Sequence, residues 1–382
     1  MKKLLHLFFF LTFLLFISTS ILYSYPRFSA YTGDKCVDCH VNPTGGVMRN
    51  NYGTKYGKEE LNMELFRKIS EKMEFSPKIT EDISIGGDIR IAQVDNQIPS
   101  QANLNTFLLM QGDFYTNVNI NEYLAAYIGI GIDIPRIDTK SEIFGLVKKL
   151  PWNSYFKAGR FTPNYGIKLV EHRVYQRLVL LNTPYAADAG LEAGISPGDF
   201  NLNVGIFNGL NTEFFDRDPK KMFVAYTDYT FRFDEADIYF NLGASFFNNP
   251  FVSRDPVTNQ HIDDNRRAWG GFFKLGIKQR VALLGEFDRL ENRVLGVTTE
   301  SDFYYGELNA RIVKGIELRG QYERFNRDIN LPNVTVQRIS GGVAIFPFYG
   351  LEMEGMVRFV DDETLLPDQK ANEFQWNFHF YY

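Results

Sequence analysis

From residue 81 to the C-terminus, short runs of the sequence alternate apolar and polar residues and are separated by turn residues. In one such run the isoleucines share one face and the polar residues share the other: Ile83, Ile85, Ile89 and Ile91 against Asp82, Ser84, Asp88 and Arg90. A period of two is the pattern of a β-strand whose two faces meet different environments. The sequence therefore predicts an all-β fold for residues 81–382.

The length and the end of these runs favour a membrane barrel over a soluble β-sandwich, which gives a similar alternation. Residues 124–133 and 236–248 are about as long as a tilted strand that crosses hydrocarbon, roughly ten residues. The last run has a wholly aromatic face, made of Phe374, Trp376, Phe378, Phe380 and Tyr382. In water that face would promote aggregation, and it resembles the C-terminal assembly signal of bacterial outer-membrane barrels. We predict a transmembrane antiparallel β-barrel of about sixteen strands in the outer membrane.

The links between the runs are of two kinds. Residues 196–199 and 314–315 are short enough for periplasmic turns, whereas the polar links 249–265 and 327–333 suit the outer side. Residues 162–188 are too long for an ordinary connection. The end of the preceding strand and the start of this segment read "GRFTPNYG" (residues 159–166), which resembles the start of the inward-folding constriction segment of phosphate-selective-type porins, so we expect the segment to enter the barrel.

The start of the chain predicts export. Residues 1–24 have a basic beginning, an apolar run and small residues suited to cleavage, as in a secretory signal peptide. The alternative is an uncleaved anchor, for which the apolar run is short. The net charge of −5 gives no reason to expect a nucleic acid as partner.

Residues 25–80 differ from the rest of the chain in their pattern of apolar and polar residues. They show little alternation, and residues 58–74 carry Leu61, Leu65 and Ile69 at helical spacing, which predicts one helix. A segment with so few aliphatic residues makes a poor core of its own. We expect a bound cofactor, or packing inside something larger, to stabilise it.

Both cysteines of the chain, Cys36 and Cys39, lie in this segment and are followed directly by His40. A structural zinc site needs four ligands, and no second Cys/His pair lies nearby. A thioredoxin-like pair needs the helix of a βαβ unit, which is not visible here. A c-type haem needs both thiols for its thioether bonds and the adjacent histidine as proximal iron ligand. Export of the chain agrees with the third interpretation, so we predict one covalently attached haem c.

Residues 25–40, "YPRFSAYTGDKCVDCH", resemble the opening of the fused outer-membrane monohaem cytochrome–porins, whose best-known members oxidise ferrous iron at the cell surface. That opening is a Pro-x-Phe-Ala-Arg-Gln-Thr-Gly segment leading into Cys-x-x-Cys-His. The matching positions are Pro26, Phe28, Thr32, Gly33, Cys36, Cys39 and His40. Ser29, Ala30 and Tyr31 stand where the family has Ala, Arg and Gln, and beyond this segment only the architecture agrees.

The resemblance implies a haem segment inside the barrel lumen and electron transfer across the outer membrane. The outer partner would be an extracellular donor or acceptor, with ferrous iron among the donors, and the inner partner a periplasmic c-type cytochrome or another electron carrier. It implies an iron(II):cytochrome oxidoreductase activity. The alternative function is a transport porin whose haem plug gates the channel or senses a small ligand.

The second axial ligand is the least determined part of the site. Of the five histidines, His6 lies in the signal peptide, His261 in a predicted surface loop and His379 on the lumen face of the last strand. That leaves His172 as our predicted distal ligand, with Arg173 and Arg177 meeting the haem propionates.

Several alternatives to this ligand set stay open. The iron could instead take Met48, Met63 or Met73, or remain five-coordinate. Arg49 and Lys55 are either propionate partners or solvated surface residues. Residues 42–46, "NPTGG", either approach the haem edge or only form a turn.

Overall fold

The structure of the protein is a computed structural model. It describes residues 26–46, 48–72, 76–97, 103–133, 138–169, 171, 173–181, 187–209, 218–255, 257–365 and 370–381. The predicted signal peptide, the predicted distal ligand His172, and also Met73 and Tyr382, lie outside the described residues.

Within these residues, sixteen antiparallel strands close into one barrel, in which each strand pairs with its neighbours in sequence and the first pairs with the last. This confirms the predicted fold. The strands are β1 (Ile83–Gln97), β2 (Leu104–Asn119), β3 (Leu124–Asp133), β4 (Asp138–Leu150), β5 (Ser154–Phe161), β6 (Asp188–Ile195), β7 (Phe200–Phe207), β8 (Met222–Phe233), β9 (Ile238–Arg254), β10 (His261–Ile277), β11 (Val281–Val294), β12 (Val297–Val313), β13 (Ile316–Asn326), β14 (Thr335–Ile345), β15 (Leu351–Asp362) and β16 (Asn372–Tyr381).

The two faces of the barrel wall differ as the alternation predicts. On β1, Ile89 and Ile91 are exposed on the outside, whereas Asp88 and Arg90 are buried on the inside. On β16, residues of the aromatic face lie outside, while Glu373, Gln375, Asn377 and His379 are buried in the lumen. Closure pairs every strand edge, so an apolar outer face can meet lipid without exposing backbone donors and acceptors.

The two ends of the barrel carry different links. At one end, which we call the turn end, residues 196–199 and 314–315 make tight turns, as predicted. At the other, the loop end, the predicted link 249–265 is too long, because β9 and β10 extend and pair until Arg254 meets His261. His261 is therefore the first residue of a strand and not a loop residue. This extension is polar, so the alternation could not reveal it. In outer-membrane barrels the short links are periplasmic.

Residues 26–62, as far as they are described, lie inside the lumen at the turn end, and residues 63–72 lie mostly exposed beside the turn-end links. We call the described part of residues 26–72 the plug. Their helices are α1 (Pro26–Thr32), α2 (Cys36–Cys39), α3 (Asn51–Glu59) and α4 (Arg67–Lys72), with a 3₁₀ turn at Glu64–Phe66. Arg27 pairs with Glu317 of β13 at 3.1 Å and with Glu352 of β15 at 2.9 Å. Lys35 Nζ donates to the Ser196 carbonyl in a turn-end link at 3.0 Å. None of the described helices is long and apolar enough to cross a membrane.

The single helix predicted for residues 58–74 is wrong. The chain bends between α3 and the 3₁₀ turn, so that Leu61 is buried while Leu65 and Ile69 are exposed. The bend has two causes in the surroundings. The Asn62 side chain donates to the Lys58 carbonyl at 2.7 Å, and the Met63 amide donates to Phe346 in a wall turn at 2.9 Å. Contacts with the wall therefore outweigh helical spacing here.

The chain between β5 and β6 folds into the lumen, as predicted, and we call its described part, within residues 162–187, the inward segment. The Tyr165 hydroxyl donates to Asp288 at 2.9 Å, and the Gly166 amide donates to Ser245 Oγ at 2.8 Å. Further along, Glu171 pairs with Arg358 at 2.9 Å, just before the short helix α5 (Tyr175–Val179). Wall residues from β9, β11 and β15 thus hold the segment across the lumen.

Candidate functional site

The Cys-x-x-Cys-His motif begins on α2, a single helical turn. The Lys35 amide donates to the Asp38 carboxylate at 3.0 Å, and the His40 amide donates to the Cys36 carbonyl at 3.0 Å. Residues three apart lie on the same face of a helical turn, so Cys36 and Cys39 share a side. The two cysteines form no disulfide with each other. The motif therefore presents two thiols and an imidazole together, within the barrel lumen.

His40 is held by its backbone and by its ring. It forms a β-bridge with Arg49, and its Nδ1 lies 3.2 Å from the Met48 carbonyl oxygen. Since a carbonyl only accepts, Nδ1 carries the proton and the lone pair of the neutral ring is on Nε2. Axial histidines are oriented in this way, by a bond from the ring nitrogen that faces away from the metal. The donor chemistry of His40 fits a proximal haem ligand.

Two glycines allow other parts of the plug to approach the motif. An added Cβ at Gly53 of α3 would lie 2.5 Å from the Cys39 carbonyl oxygen, so a larger residue would push α3 away from α2. Gly45 has a φ of +80°, and its added Cβ would lie 3.1 Å from Cys36 Sγ. Its amide donates to the Asn42 carbonyl at 2.8 Å, so residues 42–46 do form a turn. That turn also lies directly beside Cys36.

A cleft lies next to Cys36 between the plug and the wall, and its water-accessible volume is about 30 Å³. That space holds about one water molecule and is far smaller than a cofactor site of roughly 300–1,000 Å³. Neither a methionine nor a histidine is among the described residues that line it. Among the lining residues are Cys36, Thr44, Tyr155, Asn164, Tyr226, Asp228 and Lys274.

The electrostatics of the thiols differ from those of a redox-active pair. Burial raises the pKa of Cys36, although Lys274 and Lys168 act in the opposite direction. Burial also raises the pKa of Cys39, and Asp34 and Asp38 add to the effect. A thioredoxin-like pair needs a lowered thiol pKa, because the thiolate is the nucleophile. Among the described residues, no group of three or more His, Cys, Asp or Glu side chains is placed to hold a metal ion.

The residues considered for the distal position are placed differently. Met48 is buried in the apolar cluster that includes Tyr115 and Tyr127, and its carbonyl oxygen lies 3.2 Å from His40 Nδ1, so its role as a sixth ligand stays a prediction. Met63 lies against Gly315 in a turn-end link. Both ring nitrogens of His379 contact wall carboxylates, Asp88 at 2.8 Å and Glu352 at 3.1 Å. His172 stays a prediction.

The basic residues predicted to meet propionates also have wall contacts. Arg173 forms an ion pair with Glu373 of β16, and its carbonyl accepts from Arg338 at 2.6 Å. Arg177 lies in the last turn of α5. On the plug, Arg49 stacks over the Tyr381 ring at 4.5 Å, and Lys55 is exposed beside Glu59. Whether Arg173 or Arg177 binds a propionate stays a prediction.

Sequence reasoning missed three lysines near the motif: Lys157 on β5, Lys168 on the inward segment and Lys274 on β10. Lys157 Nζ donates to Asn42 Oδ1 at 3.0 Å, and Lys168 Nζ donates to Thr44 Oγ1 at 3.2 Å. Alternation predicts that Lys157 and Lys274 face the lumen. It does not show which lumen residues meet the plug, because that depends on the three-dimensional closure of the barrel.

Comparison with known proteins bears on the fold. No family model matches the chain, and no curated protein matches it. Its structure is similar to OmpT of Vibrio cholerae, with a TM-score of 0.57, 11% identity, and coverage of 80% of this chain and 100% of that one. It is similar to OprB of Pseudomonas putida, with a TM-score of 0.58, 9% identity, and coverage of 78% and 94%. It is also similar to the anion-selective porin from Comamonas acidovorans, with a TM-score of 0.57, 10% identity, and coverage of 78% of this chain and 99% of that one.

At these sequence identities the similarity shows the fold, and it does not show what the protein transports or which reaction it supports. It agrees with the apolar outer face, the polar lumen and the two kinds of link described above. The chain is an outer-membrane β-barrel, as the sequence predicts.

Proposed function

We propose that this protein carries one haem c, bound covalently to Cys36 and Cys39 with His40 as proximal ligand, and transfers electrons across the outer membrane. The single observation that supports the proposal is that the Cys-x-x-Cys-His motif lies inside the lumen with the His40 ring oriented by the Met48 carbonyl. The outer partner is an extracellular electron donor or acceptor, with ferrous iron among the donors. The inner partner is a periplasmic c-type cytochrome.

Electron transfer across the outer membrane requires a redox group between the two sides of the hydrocarbon core, and the barrel lumen can hold one there. The hydrocarbon core is about 30 Å thick, and a haem held inside a polar lumen stands within that thickness. The plug enters from the turn end, which is periplasmic by its short links, and the inward segment crosses the lumen. This arrangement supports electron passage more than free passage of solutes.

The residues of the chain have separate roles in this proposal. The haem supplies one-electron iron chemistry when bound. Cys36 and Cys39 hold it, His40 provides the axial nitrogen, and the Met48 carbonyl fixes which nitrogen faces the iron. When ferrous iron is the donor, it loses one electron outside and becomes ferric iron. The periplasmic carrier gains that electron.

Covalent attachment is tested first. We expect the wild-type protein to stain for haem on a denaturing gel, and the double variant Cys36→Ala, Cys39→Ala to lose the stain while remaining a heat-modifiable barrel. A haem stain that persists in the double variant would exclude this site. Reduced-minus-oxidised spectra of membranes, with and without added ferrous iron, then test the donor: the reduced bands should grow on addition of ferrous iron.

The likeness to porins favours a second candidate, a channel whose plug gates passage or senses a small ligand. Planar-bilayer recordings separate the two functions. A steady conductance together with a haem that neither donor nor acceptor reduces or oxidises would support the channel. A closed pore with a redox-active haem would support electron transfer.

A further inference from the structure

A cleft opens on the plug at the turn end of the barrel. It lies between the end of α3, the 3₁₀ turn, α4 and the link 314–315, and its water-accessible volume is about 370 Å³. Small-molecule sites span roughly 300–1,000 Å³, so a side chain or a short segment of a partner can enter it. Lys58, Met63, Arg67 and Lys314 are among the residues that line it.

The wall holds this part of the plug from one side only. Ser70 Oγ of α4 accepts from the Tyr349 amide at 3.2 Å, in the same wall link that holds Met63. Leu65 and Ile69, four positions apart, are 78% and 46% exposed. Residues at this spacing lie on one side of a helical turn. The plug therefore presents two neighbouring apolar side chains to the periplasm on a segment that the wall fixes in place.

The charges around these two side chains are not balanced. Arg67 is paired with Glu64 at 2.8 Å and with Glu71 at 3.2 Å. Within the described part of residues 55–72, Glu60 is the only carboxylate that forms no ion pair. Three lysines of α4 and the link likewise form none with a described residue: Lys68, Lys72 and Lys314. The excess of positive charge favours a partner whose contact surface is acidic.

One short helix joins this cleft to the Cys-x-x-Cys-His motif. Near the start of α3, Gly53 lies against the Cys39 carbonyl oxygen, and near its end Lys58 lines the cleft. At about 1.5 Å of rise per residue, these two positions are roughly 8 Å apart along the helix. A partner that binds at the cleft therefore stands close to any group attached at Cys36 and Cys39.

We propose that Leu65, Ile69 and the adjoining cleft form the docking site of the periplasmic electron carrier, and that the carrier presents acidic groups around an apolar contact. This inference rests on the proposed function, because it requires a covalent haem that exchanges electrons. One electron leaves the ferrous haem, which becomes ferric, and reduces the carrier docked at this site. An apolar centre with a polar rim is the usual organisation of a protein interface, and opposite charges speed the encounter.

The test is the rate of electron transfer from purified, reduced holoprotein to a soluble probe, followed by stopped-flow absorbance. The probes are two blue-copper proteins of similar potential, one acidic and one basic. We expect the acidic probe to react at least about tenfold faster at low ionic strength, and its rate constant to fall as salt is added. Lys68→Glu and Lys72→Glu should each weaken this preference, and together they should remove it. Both lysines are exposed, so the midpoint potential of the haem should not change.

Lys149→Glu is the matched control for the single lysine variants. Lys149 is also an exposed turn-end lysine, but it lies beside the link between β4 and β5, across the barrel from the link 314–315. Its rates should match those of the wild type at about 0.1 M salt, where charges more than ~10 Å apart are screened. The double variant Leu65→Ser, Ile69→Ser tests the apolar contact and should slow the acidic probe at every ionic strength.

The outcomes separate the inference from the proposed function. A wild-type chain without covalent haem defeats the proposed function itself. If haem is attached, equal rates for the two probes, or lysine variants that react like the wild type, overturn the docking site alone. A rate that falls together with the potential would show that the lysines act on the haem, against the proposal. A smaller particle in sedimentation of the Leu65→Ser, Ile69→Ser variant would show that a second copy of this chain covers the site, which also contradicts it.

Discussion

The barrel wall and the plug share one lumen but are stabilised in different ways. In the wall, every strand is paired through regular backbone ladders, and an outer apolar face meets lipid. The plug consists of short helices that are fastened to the wall by side chains, above all Arg27 between Glu317 and Glu352. A wall built on backbone pairing tolerates many side-chain changes. A plug built on a few ion pairs and close approaches depends on single residues.

The largest expected effect comes from removing the plug's main anchor. Arg27→Met removes a buried cation from between Glu317 and Glu352. Because these carboxylates keep Arg311 and His379 as partners, the seated plug should lose about 3 kcal/mol, the lower end for a broken buried pair, while the barrel stays folded. Limited trypsin digestion of folded barrels should then cut the plug. The control is Arg67→Met, whose exposed pairs with Glu64 and Glu71 are worth under about 1 kcal/mol. A plug that resists trypsin in the Arg27 variant contradicts this account.

Acid should release the inward segment before it unfolds the wall. Burial raises the pKa of Glu171, but Arg358 and other arginines outweigh it and hold the pKa at about 2. Because the pKa is lower folded than unfolded, this stabilisation is present above about pH 4.5 and is lost as the pH falls towards 2. It amounts to on the order of 3 kcal/mol at one pKa unit per ~1.4 kcal/mol.

This acid release is measured as proteolysis of the segment by an acid-stable protease at stepped pH. Glu171→Gln should make the segment cleavable already at neutral pH. Equal resistance of wild type and variant across the range would show that Glu171 is not an anchor.

A smaller effect is expected where α3 approaches α2. Gly53→Ala forces a Cβ against the Cys39 carbonyl and should cost about 1–3 kcal/mol in the plug. Haem staining per barrel should fall, with heat modifiability unchanged. Gly57 of the same helix is a matched control, because its added Cβ would meet only ordinary contacts at 3.6 Å. Gly57→Ala should be neutral or stabilise the helix by up to about 1 kcal/mol. Similar haem loss in both variants would argue against the close approach.

The smallest effect concerns Met48. Met48→Leu nearly conserves volume and keeps the backbone carbonyl that accepts from His40, so it should cost less than about 1.5 kcal/mol. The haem spectrum and spin state should not change. His172→Ala, by contrast, should convert the haem to high spin without loss of covalent attachment if His172 is the distal ligand. A spin change in the Met48 variant instead would assign the sixth ligand to methionine.

The same contrast between wall and plug explains what the sequence can predict. Alternation of period two distinguishes the lipid-facing residues of a strand from the lumen-facing ones. It therefore predicts the bounds of β3 and the two faces of β16 correctly. The overlong link 162–188 predicts the inward segment, because no short turn could absorb its length. These features depend on local pattern and length alone.

The rest depends on contacts between distant residues. The bend after α3 is fixed by Phe346, nearly three hundred positions away from Met63 along the chain. The lysines around Cys36 come from β5, β10 and the inward segment, which meet only when the barrel is closed. No local sequence pattern predicts contacts between residues so far apart in the chain. For this reason the predicted helix 58–74 was wrong, and Lys157, Lys168 and Lys274 were not predicted to lie near Cys36.

The seam of the barrel and the plug share one carboxylate. His379 of the last strand contacts Asp88 of β1 and Glu352 of β15, and the same Glu352 binds Arg27 of the plug. The seated plug and the junction of the first and last strands therefore stabilise each other through Glu352, and a change on one side is felt on the other.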